Sequence, residues 1–431
     1  MAQETPPKPI ERFPCPPGLS GEDGTNRAPA SENRLGVDTD YAALQAWLDE
    51  YKGEGLDGNP HPTWLNYRKE GERLFLWSWI VAQKPVSSLT RADLMEFEVF
   101  LQDPPAHWVA DHAYHRGDGR WRPFVRRKKR VRRVKGKPEP KPEYRAGLML
   151  PSVVQARRIL RGLFEYLRLE GYLAHNPLDR PKRTRRRSGA GDKGSAASRD
   201  ARRLSEAAWE LALKTNDRAI EMAAEGSSEH ARLVRQRWIV LFLYHSGARR
   251  VEAALATMGD IRQRSVPEAN GKKRTSWWWD VTGKGGKEGT VPMPAGAMAA
   301  LKAYRRSLGL PALPSPDEET PLIDRLPKAD GQPRKGGQMS AAMIAGEVKA
   351  FFRRAAEAAF ESNDPEDRDL EPLLSRASTH WIRHTYGTHQ VESNIPLHHA
   401  QRNLRHAKLD TTGQYLHPDD GERAKTIKKF R

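Results

Sequence analysis

Hydrophobic residues recur at helical spacing in several stretches of the first 180 residues. Leu74, Trp77 and Ile80 lie three residues apart, as expected for one face of an α-helix. Thr90 followed by Asp93 is an N-capping pattern ahead of another apolar stripe. Similar stripes occur around Tyr41 and over 152–171. These patterns predict a helical domain over residues 36–180.

The second half of the chain mixes helical patterns with two strand-like runs. Apolar spacing predicts helices at 205–224, at a segment closed by Gly247, and at 250–257, 340–360, 382–393 and 396–404. The runs 277–283 and 288–293 predict a β-hairpin with lysines at its tip. Residues 204–431 are therefore predicted to form a mainly helical domain with a small antiparallel sheet, ending in a tail at 416–431.

Two segments carry no regular apolar pattern. Residues 1–35 are rich in Pro, Gly, Asp and Glu, which is typical of a disordered tail. Residues 181–203 combine basic residues with Gly and Ser, which predicts a flexible basic linker between the two domains. The Pro-rich stretch 311–335 is predicted to be a surface loop.

The charge balance points to a polyanionic partner. The 73 Lys and Arg exceed the 55 Asp and Glu, leaving a formal net charge of +18, which favours nucleic acid. No run approaches the roughly 20 apolar residues of a membrane span, and no secretory signal is visible, so we expect a cytoplasmic protein associated with the nucleoid of a prokaryote. The single cysteine, Cys15, excludes an internal disulfide and a cysteine-based zinc site.

A dense basic run lies inside a predicted insertion at 104–147. Residues 120–137 hold eleven basic residues among eighteen and no acidic one. Such charge repels itself unless a polyanion neutralises it, so DNA contact is favoured over a merely solvated loop. The predicted DNA-contacting residues here and in the linker are Arg126, Arg127, Lys128, Lys129, Arg130, Arg132, Arg133, Arg185, Arg186 and Arg187.

Four separated segments form an ordered set of motifs. They are SGARRVEAAL at 246–255, TGKGGKE at 282–288, HWIRHT at 380–385 and LRHAKLDTTGQYLH at 404–417. In order and spacing this set resembles the tyrosine recombinase, or phage integrase, family. The resemblance implies a mainly α, two-domain DNA clamp, in which a helical SAM-like core-binding domain precedes a mixed α+β catalytic domain. It also implies site-specific recombination through a 3′-phosphotyrosine intermediate.

Position by position, the resemblance implies six catalytic residues, Arg249, Lys284, His380, Arg383, His406 and Tyr415. Attack on a phosphodiester requires a nucleophile, cations for the developing charge and a proton for the departing oxygen. Tyr415 is the candidate nucleophile, and the guanidiniums of Arg249 and Arg383 are the candidate cations. Lys284 is the candidate general acid, with Lys287 as its rival.

Some of these residues also fit other patterns. His380 and His384 are four residues apart, as in some zinc sites, but Trp381 stands where H-E-x-x-H has its glutamate. We therefore expect no metal and no cofactor, with His384 packing or hydrogen bonding beside the site. The run of tryptophans at 277–279 is expected to anchor the sheet to the core rather than to stack on bases.

The resemblance also implies the partners. These are double-stranded DNA recombination sites, a homotetramer in the synaptic complex, and neighbouring recombinases or accessory proteins. Phage, transposon and chromosomal elements are all compatible with the motifs. The alternatives are a type IB topoisomerase and a catalytically silent DNA-binding regulator. One departure from the family pattern is Arg405, since glycine usually precedes the second histidine.

Overall fold

The chain divides into two compact units, Met1–Ser188 and Gly189–Arg431. A computed structural model describes residues 6–55, 58, 60–129, 133, 135–136, 138, 140–179, 203–267, 273–283, 286, 288–326 and 337–405. The predicted linker lies outside these residues except for Arg203. In this described part of the chain, no helix is both long and apolar enough to cross a membrane.

The N-terminal unit is a cluster of helices. They are α1 Asp40–Asp49, α2 Pro62–Trp77, α3 Arg91–Gln102 and α4 Leu150–Leu169. The capping pattern predicted from the sequence is present at the start of α3. The Thr90 hydroxyl accepts the backbone N–H of Asp93 at 3.3 Å, and the Asp93 carboxylate accepts the N–H of Thr90 at 2.8 Å. This reciprocal pair satisfies two donors that a helix start leaves without partners.

Helix α4 separates an apolar face from a charged one. Its Ala156, Leu160, Leu163 and Leu167 are buried in the core of the unit, as its helical spacing predicted. Three of its arginines pair with carboxylates: Arg157 with Glu98, Arg161 with Asp179 and Arg168 with Glu165. The basic face of this helix is thus partly neutralised within the unit.

The prediction of a disordered N-terminal tail was wrong for residues 6–35. Ile10 and Leu19 are buried in the core of the N-terminal unit. The Ile10 N–H donates to Glu72 Oε1 at 2.9 Å, and the Arg27 guanidinium lies 3.9 Å from the Tyr172 ring centroid. An extended, proline-rich segment held by single side chains has no periodicity of its own, so its order depends on contacts with distant residues.

Part of the predicted insertion at 104–147 belongs to the core of the N-terminal unit. Phe124 is 1% exposed, and the insertion residue Trp108 is fully buried. Phe124 lies on β2 Phe124–Val125, which pairs with β1 Val109–Ala110. The Arg73 guanidinium lies 4.6 Å from the Phe124 ring centroid and donates to the Pro123 carbonyl. One buried aromatic residue within a basic run is enough to attach the run to the core.

The exposed part of the basic run continues from this anchor. Strand β3, Arg127–Lys128, pairs antiparallel with β4, Tyr144–Arg145. Beyond Phe124, the described basic residues of the run are all exposed: Arg126, Arg127, Lys128, Lys129, Arg133 and Lys135. We call the described residues from Arg126 to Arg145 the basic ribbon.

The C-terminal unit is mainly helical around one small sheet, which confirms the predicted fold class. Its helices are α5 Glu206–Met222, α6 Ser228–Ser246, α7 Arg250–Leu255, α8 Ala295–Ser307, α9 Ala341–Glu361, α10 Pro365–Leu374, α11 Thr379–Glu392 and α12 Leu397–Leu404. The sheet is antiparallel, in the order β5 Ile261–Pro267, β6 Lys273–Thr282 and β7 Glu288–Met293. The hairpin of β6 and β7 was predicted, whereas β5, α8 and α10 were not.

The sheet packs on α6 through a tryptophan. Trp279 is fully buried, and its ring centroid lies 4.9 Å from that of Phe242. Trp277 and Trp278 are only partly buried. Part of the predicted surface loop also enters this core, since Leu322 is buried and its carbonyl accepts the Trp238 indole N–H at 3.0 Å.

Candidate active site

Arg249 follows a sharp turn at the end of α6. Gly247 ends this helix with a φ of +56°, a conformation that favours glycine. A Cβ at Gly247 would lie 2.6 Å from Cδ1 of Tyr386, so no larger residue fits there without displacing that ring. The turn leads directly to Arg249 and α7. The glycine of the SGAR motif is therefore required by both backbone angle and space.

Glu252 holds the Arg249 side chain. Its carboxylate accepts the Arg249 backbone N–H at 2.8 Å and the Arg249 guanidinium at 2.7 Å. The Glu252 side chain is 2% exposed, whereas that of Arg249 is 49% exposed. Burial raises the pKa of Glu252, but the Arg405 charge and the bonds from Arg249 outweigh it, so this pKa lies below its ordinary value. The carboxylate is thus an ionised anchor beneath an accessible guanidinium.

Arg383 connects two motif segments that are distant in sequence. It lies on α11, is buried, and donates from Nη1 to the Gly247 carbonyl and from Nη2 to the Leu404 carbonyl. Gly247 stands two residues before Arg249, and Leu404 stands two residues before His406. One guanidinium therefore joins the turn that presents Arg249 to the end of α12. Only tertiary structure can bring these segments together.

His380 lies one turn before Arg383 on α11. The Ser378 hydroxyl caps this helix by accepting the Trp381 backbone N–H. His380 is exposed, and its Nε2 lies 2.8 Å from Nε2 of His384. A hydrogen bond between two such nitrogens requires one ring to donate and the other to accept. The predicted place of His384 beside the site agrees with this contact.

Three predicted catalytic residues lie outside the described part of the chain. Lys284, with its rival Lys287, belongs to the connection between β6 and β7, whose last pair is Thr282 with Glu288. His406 and Tyr415 follow Arg405, the last described residue. The described catalytic candidates are therefore Arg249, His380 and Arg383.

Arg405 is a site residue whose role the sequence did not reveal. It has a φ of +53°, the left-handed conformation for which the family pattern has glycine. Its Nη2 donates to Glu252 Oε2 at 2.7 Å, so Glu252 joins Arg249 and Arg405. The departure from glycine was visible in the sequence, but its ion pair partner was not.

The C-terminal half of the chain is similar to a known protein family. Residues 214–422 match the phage integrase family. Over these residues the chain carries a phage integrase family domain. It is a site-specific DNA recombinase of the tyrosine class.

Individual relatives cover much of the chain. It is 27% identical over 268 residues to the tyrosine recombinase XerC of Pseudomonas entomophila (strain L48), covering 62% of this chain and 70% of the relative. It is 29% identical over 201 residues to XerC of Pelobacter propionicus (strain DSM 2379 / NBRC 103807 / OttBd1), covering 47% of this chain and 53% of that one.

Solved structures share the fold of this recombinase. The site-specific recombinase XerH, in a pre-cleavage complex with its difH substrate, has a TM-score of 0.51 at 15% identity, covering 94% of this chain and 91% of that one. The Tn1549 transposon integrase, in complex with transposon right end DNA, has a TM-score of 0.51 at 13% identity, covering 90% of this chain and 98% of that one. At these identities the likeness concerns the fold alone.

The predicted DNA contacts of the recombinase are described only in part. Arg126, Arg127, Lys128 and Lys129 are all exposed on the basic ribbon, together with Arg133. Lys129 pairs with Glu143 at 3.3 Å, and the Arg126 guanidinium lies 4.6 Å from the Tyr144 ring centroid. Predicted contacts outside the described residues are Arg130, Arg132, Arg185, Arg186 and Arg187.

Proposed function

We propose that this recombinase cleaves a DNA strand by attack of Tyr415 on a phosphodiester. The tyrosine oxygen forms a bond to phosphorus as the bond from phosphorus to the 5′ oxygen breaks, leaving a 3′-phosphotyrosine and a free 5′ hydroxyl. The phenol loses its proton, and the departing oxygen gains one. A 5′ hydroxyl from a second DNA site then reverses the linkage, which joins the two sites.

The bridge made by Arg383 is the observation that supports this proposal most strongly. It joins the Gly247 carbonyl, at the turn before Arg249, to the Leu404 carbonyl, just ahead of the segment that holds His406 and Tyr415. A phosphate bound beside Arg383 would contact the half-exposed Arg249 guanidinium. Fixed cations at a developing negative charge are an effective means of lowering a reaction barrier.

The remaining roles follow from the chemistry of the side chains. Lys284 would protonate the departing 5′ oxygen, with Lys287 as the alternative donor. His380 would move a proton at the tyrosine oxygen, and His406 would donate a hydrogen bond to the phosphate. The substrates would be double-stranded recombination sites at the ends of a mobile element, paired in a homotetramer. The Tn1549 integrase, which is similar in fold, was solved with transposon end DNA.

A suicide-substrate experiment tests the nucleophile. Nicked duplexes from the ends of the element that encodes the protein are incubated with wild type and with Tyr415→Phe, then separated by denaturing electrophoresis. We expect a covalent band with wild type and none with the variant. The control is Tyr304→Phe, which should keep the band because Tyr304 is buried in the core of the C-terminal unit.

Other outcomes point to other functions. Tight binding by wild type without a covalent band would favour a DNA-binding regulator, or a requirement for partner recombinases. Covalent adducts on arbitrary duplexes, with supercoil relaxation and no joining of two sites, would favour a type IB topoisomerase. A band that survives in Tyr415→Phe would reject Tyr415 as the nucleophile.

A further inference from the structure

Arg405 holds a conformation that a residue with a side chain rarely adopts. Its φ is +53°, in the left-handed region where a Cβ crowds the backbone. Glycine would remove this strain, and the family pattern has glycine at this position. The strain at Arg405 must therefore be offset by what its guanidinium contacts.

The guanidinium of Arg405 is held on several sides. It donates to Glu252 Oε2 at 2.7 Å and to the Ser246 carbonyl at 3.3 Å, and it lies 5.2 Å from the Trp279 ring centroid. Its side chain is only 11% exposed. The Arg405 stem also lies against β7, where a Cβ on Gly289 would come within 3.0 Å of Arg405 Cδ. The charge is fixed beneath the surface of the site.

Glu252 is the link between Arg405 and the reaction. Glu252 Oε1 accepts from the Arg249 guanidinium and Oε2 accepts from the Arg405 guanidinium, both at 2.7 Å. Without Arg405, the buried Glu252 carboxylate would still orient Arg249. It would also cancel the positive charge with which Arg249 attracts a phosphate. With two guanidiniums and one carboxylate, this cluster carries a net charge of +1. Since Arg405 is buried and Arg249 is half exposed, the surplus charge is accessible at Arg249.

We propose that Arg405 is a positioning residue that neutralises Glu252, so that Glu252 orients Arg249 without weakening its attraction for the scissile phosphate. Arg405 acts through Glu252 and does not itself touch the DNA. This role rests on the proposed function, because it assumes that Arg249 binds the phosphate under attack.

A double-mutant cycle separates this electrostatic role from a structural one. Single-turnover cleavage of the suicide duplex is measured for wild type, Arg405→Gln, Glu252→Gln and the double variant. Arg405→Gln leaves the Glu252 charge opposed only by Arg249, and it should slow cleavage by about 10- to 100-fold, as expected for one charge roughly 6–12 Å from the phosphate at an effective dielectric constant near 20. Adding Glu252→Gln removes the uncompensated carboxylate, so the double variant should cleave at least about threefold faster than Arg405→Gln.

Two further variants control for folding. Arg405→Gly relieves the left-handed strain, which offsets part of the cost of losing the ion pair with Glu252, so it should still fold and should cleave slowly. Arg305→Gln breaks another buried ion pair of the same unit, the 2.7 Å contact with Glu318. It should lower the melting temperature but leave the cleavage rate of folded protein unchanged.

Two results would overturn the inference. One is cleavage by folded Arg405→Gly and Arg405→Gln at the wild-type rate. The other is a double variant as slow as, or slower than, Arg405→Gln, which would make Arg405 a purely structural residue. Failure of the proposed function is recognised separately, because wild type would then form no covalent adduct that depends on Tyr415.

Discussion

At the scale of single residues, the two candidate arginines are held in different ways. The Arg249 guanidinium has one carboxylate partner and is 49% exposed. Arg383 is 6% exposed, and its guanidinium donates to two backbone carbonyls. Both supply positive charge, but only Arg383 also supports the local backbone. Their removal should therefore affect catalysis alike and stability differently.

Arg249→Ala and Arg383→Ala test this difference. Each should reduce the cleavage rate by about 10²- to 10³-fold, the usual cost of losing one charge-stabilising donor. Arg383→Ala should also lower the free energy of unfolding by roughly 1–3 kcal/mol, because buried carbonyls lose their donor. Arg249→Ala should change it little. Single-turnover cleavage and denaturant titration measure the two effects.

The matched control is Arg250→Ala. Arg250 is an exposed neighbour of Arg249, and Glu252 accepts hydrogen bonds from Arg249 and Arg405. Arg250→Ala should therefore cleave at close to the wild-type rate. A loss as large as that of Arg249→Ala would show that the motif register had been assigned to the wrong arginine.

At the scale of elements, the basic ribbon joins a buried anchor to an exposed cationic surface. Phe124 is buried in the N-terminal core, and the residues from Arg126 to Lys129 are all exposed. The antiparallel pairing of β3 with β4 holds these charges close together. A sequence-independent contact with DNA phosphates is the interaction that such a surface favours.

Salt-dependent DNA binding tests the ribbon. Replacing Arg126, Arg127, Lys128 and Lys129 by Gln should weaken binding and flatten the plot of log affinity against log salt concentration by about one unit for each phosphate that the ribbon no longer neutralises. The double variant Arg126→Lys, Arg127→Lys keeps all four charges and should keep the slope. If the four-Gln variant also keeps the wild-type slope, the ribbon is a solvated loop.

At the scale of the whole molecule, the chain is ordered further toward its N-terminus than its composition predicted. Ile10 and Leu19 join the core of the N-terminal unit, and Asn26 donates to the His175 carbonyl at 2.9 Å. The Phe13 ring lies 6.4 Å from that of Trp79. Residues 6–35 therefore form part of this unit rather than an appendage to it.

Truncating buried side chains in this segment tests its contribution. Ile10→Ala and Leu19→Ala should each lower the free energy of unfolding of the N-terminal unit by roughly 2 kcal/mol or more, the usual cost of a cavity at a buried aliphatic residue. Met95→Ala is the control, since Met95 is 60% exposed in the same unit. Calorimetry of the full chain measures the change. If Ile10→Ala is as stable as Met95→Ala, this segment does not contribute to the core.

Local signals in the sequence determined much of the fold. The capping pair at Thr90 and Asp93, the apolar stripe of α4 and the glycine after α6 act within a few residues, so they could be recognised without tertiary structure. Strand β5 could not, because its run IRQRSVP is polar and depends on pairing with β6. The same holds for the N-terminal segment, whose anchors lie on distant helices.

The motif order alone indicated the reaction class and the residues that we propose to carry the chemistry. The conformation of Arg405, its ion pair with Glu252 and the bridge from Arg383 to two carbonyls were decided only by tertiary structure. Arg383 lies 136 residues from Gly247 in sequence, and spacing along a chain carries no information about such distances. Sequence motifs can indicate which groups react, but tertiary packing determines which charged groups contact each other.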